Sequence, residues 1–146
     1  MWRAVVGGVA LVALTLTSCS EQQGSTKDFC AQVKKVPAIE SVLNRFTESD
    51  PAVLKERIEK ASSAYQALVD SAPSEISDDV KILVAVVDET LDAAADNPDD
   101  QIAAANQLRK AMTKHPDAEK ARASVATFAE KNCGIRLDPS LTKPGD

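Results

Sequence analysis

Between Thr26 and Gly134 the chain is cut by Pro37, Pro51, Pro73, Pro98 and Pro116, and the stretches between the cuts carry apolar residues at steps of three and four. Proline removes a backbone donor and clashes with the turn before it, so it belongs at helix starts and in breaks. A chain divided in this way is expected to fold as short and medium helices. Asp50-Pro51 is the clearest start, a capping aspartate followed by proline at the first helical position. Leu54, Ile58, Ala61, Tyr65, Leu68 and Ala72 then follow on one face. Pro73 closes that helix. Ser77-Asp78-Asp79 opens the next, with acidic residues at the positive end of the helix dipole. Upstream, Thr26 is the expected cap of a first helix, whose face is traced by Phe29, Val33, Val36, Ile39, Leu43 and Phe46. Pro37 interrupts it, which predicts a kink or two short helices. Ile102, Ala105, Leu108 and Met112 mark a shorter helix. Ala118, Ala121, Val125 and Phe128 mark the last one, with Gly134 fitting its C-terminal cap.

One segment is ambiguous. Ile82-Leu83-Val84-Ala85-Val86-Val87 is rich in β-branched residues and also reads as a buried strand. No other segment offers a partner strand and no turn residues bound it, so a helix over 77–96 is predicted. Apolar residues on nearly every side make it the expected central helix.

The N-terminus has a different layout. Arg3 precedes an uncharged run from Ala4 to Thr17, and small residues follow. This is the arrangement of a secretory signal, too short for a comfortable membrane span. Leu16-Thr17-Ser18-Cys19 resembles a bacterial lipobox. The resemblance implies a diacylglycerol on the Cys19 thiol and cleavage just before it. Each buried methylene of such a chain adds about 0.8 kcal/mol of membrane affinity. The expected organisation is a signal peptide over 1–18, a flexible tether over 19–25, a helical domain over 26–134 and an irregular tail over 135–146.

With Cys19 lipidated, Cys30 and Cys133 remain. In an oxidising compartment two cysteines imply one disulfide. A metal pair or a redox couple are the alternatives, but there is no C-x-x-C spacing and no second histidine. The bond requires the two Cα atoms to lie within about 7 Å. Successive antiparallel helices bring the first and last ends together only when their number is even. Five helical segments are read here, so one is not a full traverse, and 99–114 is expected to lie across an end. The fold class is therefore all-α, a four-helix-like bundle with one extra short helix, closed by one disulfide.

Charge narrows the function classes. Loss of Arg3 with the signal takes 17 Lys and Arg to 16, against 22 Asp and Glu. An acidic chain argues against nucleic acid and against a polybasic membrane patch. The core must be built mainly from Leu, Val, Ile and Ala, since the domain's aromatic residues are Phe29, Phe46, Tyr65 and Phe128. His115 stands before Pro116 with no nucleophile or carboxylate that the sequence points to, so no catalytic residue is assigned. Asp88, Asp92 and Asp96, followed by Asp99 and Asp100, lack EF-hand spacing. They read as a solvated acidic face, and neither a metal nor a cofactor is expected.

Phe29-Cys30, Pro73-Ser74-Glu75-Ile76 and Asn132-Cys133-Gly134 together give residues 28–135 a resemblance to small all-helical envelope lipoproteins of actinobacteria. The resemblance implies a disulfide-closed helical domain on the outer face of the cell membrane, with no established activity and no functional residue beyond Cys19, Cys30 and Cys133. The favoured expectation is a non-enzymatic, membrane-anchored accessory or sensor domain that binds another envelope protein. The second is a carrier of a small apolar ligand or lipid held between helices beside Tyr65, Ile82 and Val86.

Overall fold

A computed structural model describes residues 24–137. Its α-helices are α1 (Thr26–Val33), α2 (Ile39–Leu43), α3 (Pro51–Ser71), α4 (Ser77–Asp96), α5 (Gln101–Met112) and α6 (Ala118–Phe128). A 3₁₀ turn spans Phe46–Glu48 and a π-helical turn, Ala129–Cys133, extends α6. No strand forms among the described residues.

The starts follow local chemistry. The Asp50 carboxylate accepts from the Ala52 amide (2.8 Å) with Pro51 as first helical residue. Asp100 caps α5 by accepting from Ile102 and Ala103, both at 2.9 Å. At α1 the cap is Ser25, accepting from Asp28, with Thr26 the first helical residue, one position from the expected boundary. Gly134 takes φ +64°, and its amide donates to Glu130 O (3.2 Å) to end the last helix. A left-handed residue closing a helix is most often glycine, which has no Cβ to strain.

Side-chain ties give the directions. Gln32 reaches Ala64 O (3.3 Å) while Arg57 reaches Asn44 O (3.4 Å), so α1 and α2 run antiparallel to α3. Gln107 donates to Asp96 (2.8 Å) and His115 meets Glu89 (3.1 Å), so the chain climbs back along α4 as it passes from α5 to α6. The bundle is thus four antiparallel columns: α1 with α2, then α3, then α4, then α6, which α5 leads into. Segment 99–114 is short, as expected, and its middle lies at the C-terminal end of α4, where Gln107 bonds Asn97 and Asp96. An even number of columns returns Cys133 to Cys30, and their disulfide spans a Cα–Cα distance of 5.3 Å. The two cysteines are bonded to each other, which sets aside the metal pair.

Two apolar clusters fill the bundle. The cluster nearer the disulfide holds Phe29, Tyr65, Ile76, Val80, Val84, Val125 and Phe128, with the Phe29 and Phe128 rings edge to face at 5.6 Å. The second holds Val42, Leu54, Ile58, Ala61 and Leu91. Ile39 and Val87 pack against both. Helix α4 touches α2, α3, α5 and α6, which makes it the central helix. Its β-branched run is helical because neighbours on several sides bury Val84 and half-bury the rest, and that packing outweighs a propensity difference of a few tenths of a kcal/mol per residue.

Candidate functional site

Column one is broken where the sequence places Pro37. Helix α1 stops at Val33 and α2 begins at Ile39. The interrupted turn opens a concavity of about 290 Å³ over the face of α3 that carries residues 57, 60, 61 and 64. Ala61 and Ala64 keep its floor low and Val42 adds an apolar wall. Lys35, Arg57 and Lys60 stand around it. The Arg57 guanidinium donates to Ser49 Oγ (2.5 Å) and to Asn44 O. Its Nε is buried and has no acceptor among the described residues.

Tyr65 braces the same break. Its hydroxyl donates to Pro37 O at 2.8 Å. Burial, and secondarily the Glu40 carboxylate, push its pKa up from 10.0 to about 12. Ionisation is therefore harder in the folded chain than in the unfolded one. Below pH 10 both states hold the proton and the stability from this group is intact. As pH rises through 10 toward 12 the unfolded state sheds the proton first, and stability falls. A Tyr65→Phe chain should lose about 1 kcal/mol at neutral pH, because the Pro37 carbonyl is left unpaired. It should also lose this alkaline decline. Urea unfolding at pH 8 and at pH 11 reads both effects, and an unchanged alkaline slope would remove Tyr65 as its source.

The structure does not bring Tyr65, Ile82 and Val86 together. Tyr65 packs with Val80 and Val84 in the first cluster. Ile82 and Val86 are half-buried, and the helical period places them on another face of α4. His115 has the carboxylate partner that the sequence did not reveal. Glu89 lies 26 residues earlier, and its Oε1 accepts from His115 Nε2 at 3.1 Å. Lys114 Nζ stands 3.7 Å from the same oxygen. The pair fastens the turn between α5 and α6 to α4. Acidic residues of α4 also tie helices together. Asp88 accepts from Gln66 (2.9 Å) and Asp96 from Gln107. Burial raises the Asp88 pKa above the usual carboxylate value, opposed by the Gln66 hydrogen bond. Among the described residues no group of three His, Cys, Asp or Glu side chains is placed to hold a metal ion.

Cys19, the signal segment and the residues beyond 137 lie outside the described residues. No described helix is long and apolar enough to cross a membrane. At Gly24 the backbone lies against Ser71 so closely that any Cβ would run into the Ser71 backbone. The chain thus enters the bundle at the C-terminal end of α3, the end that also carries the disulfide.

No family model matches this chain, and no curated protein or solved structure matches it either.

Proposed function

We propose that this chain is a non-enzymatic, lipid-anchored domain on the extracytoplasmic face of the cell membrane, and that it binds another envelope protein through the outer face of α5. The observation that carries the reading is the exposure of Ile102 (75%) and Met112 (40%). With Ala105 and Arg109 they make one stripe by helical period, on a helix whose main neighbour is α4. Single exposed apolar residues are ordinary; two on the outer face of one helix are the feature on which this reading rests. A disulfide that joins the first and last columns supports an oxidising compartment. An anchor at Cys19 would enter beside Ser71. Helix α4 runs about 30 Å from that end, so the start of α5 would stand away from the lipid surface. The carrier reading is less well supported, because Tyr65, Ile82 and Val86 do not line one space.

A photo-crosslinking residue at position 102, in intact cells of the source organism, should capture one discrete protein. The same residue at position 120, on the exposed side of α6, should not. Cys19→Ala should move the chain from the membrane fraction to the soluble fraction. Full retention in the membrane would overturn the anchor, and equal capture from both positions would overturn the docking face.

A further inference from the structure

We infer that the concavity at the Pro37 break is a binding site for a phosphate ester. The chain as a whole is acidic, yet Lys35, Arg57 and Lys60 converge on one hollow. None of the three forms an ion pair within 4 Å with a carboxylate among the described residues. Of the cations close by in sequence, Arg45 pairs with Glu48 and Lys55 with Glu59. Three cations around one mouth suit a group that carries up to two negative charges and several acceptor oxygens. Arginine and lysine both serve as phosphate donors, one as a fork and one as a point charge.

The hollow itself limits the ligand. About 290 Å³ lies at the small end of ligand sites, which admits a head group and a few carbons. The floor of Ala61 and Ala64 and the wall of Val42 offer those carbons apolar contact. Replacing either alanine by a larger residue would fill the space. Ser41 lines the hollow too, although its hydroxyl already donates to Ala38 O at 2.7 Å. The positions are built by the fold: the break sets Lys35, while Arg57 and Lys60 share one face of α3 with the floor. A phosphate ester reaches such a site either as a soluble metabolite or as a phospholipid head group. The inference stands independently of the partner proposed for α5.

The test uses the full chain in neutral detergent micelles, followed by NMR at the amides of Lys35, Ser41 and Ala64. It is titrated with glycerol 3-phosphate and, in parallel, with short-chain phosphatidylglycerol. Saturable shifts are expected with at least one of them, weakening about tenfold for Lys35→Gln and for Lys60→Gln. Lys120→Gln, an exposed lysine of α6, should leave the affinity unchanged. Saturation by glycerol 3-phosphate identifies a soluble ligand, and saturation by the lipid alone identifies a head group. No saturation with either, or equal weakening by Lys120→Gln, would overturn the site.

Discussion

Loss of the Cys30–Cys133 bond is expected to lower the thermal midpoint by about 10–15 °C, one of the two largest effects anticipated here. The cysteines are 103 residues apart, so the bond closes nearly the whole described domain. In the chain-entropy view a loop of about 100 residues is worth up to about 4.7 kcal/mol, and removal of native bonds in small secreted domains costs about 2–5 kcal/mol. Its location adds to the expected loss. Helix α1 has only eight residues, too few to persist alone, and it is held to the bundle by Phe29 and by this bond. The variant to use is the double Cys30→Ala/Cys133→Ala chain, which leaves neither thiol free. Circular dichroism during heating, with the oxidised parent and the reduced parent alongside, measures the change. A midpoint within 2 °C of the oxidised parent in both comparisons would mean that packing alone holds the first column in place.

Much of this architecture is legible locally. Asp50-Pro51 and Pro73 bound α3, and the predicted central helix over 77–96 coincides with α4. Pro37 splits the first column into two short helices, and Gly134 closes the last turn. Each of these depends on steric or hydrogen-bonding rules that act within a few residues. What the local rules do not carry is which separate segments share a column. Helix α5 is held at the end of α4 because Asn97 and Asp96 both bond Gln107, and Glu89 then holds His115 ahead of α6. Such pairings, many residues apart in sequence, leave no periodic mark in a single chain. The concavity is hidden for a similar reason. Lys35 is unremarkable until the break at Pro37 places it beside Arg57 and Lys60. The expected ligand trio does not meet, because apolar character alone does not say which helical face a residue takes. Ile82 and Val86 fall away from the stripe of Val80, Val84, Val87 and Leu91 that faces the core.

Phe29→Ala is expected to destabilise the domain by about 3–5 kcal/mol, the second of the two largest effects. The side chain is fully buried and its ring meets Phe128 edge to face, a contact worth about 0.5–1.5 kcal/mol beyond its buried area. Few neighbours can collapse into the space. Beside it the backbone is pinned by the Cys30 bond, and Val125, Phe128 and Ala129 belong to a helix bound at the same point. The useful comparison is Leu91→Ala in the second cluster, where about 2–5 kcal/mol is expected. The two clusters are joined through the half-buried Ile39 and Val87. If the domain unfolds as one unit, both variants shift the urea midpoint with the slope unchanged, and their losses add in the double variant. Hydrogen exchange gives the finer reading. In Phe29→Ala, the amides of α1 should lose protection to the same degree as those of α3 and α4. Early exchange in α1 alone, with α3 and α4 unaffected, would show that the first column opens separately and that Phe29 fastens only that column.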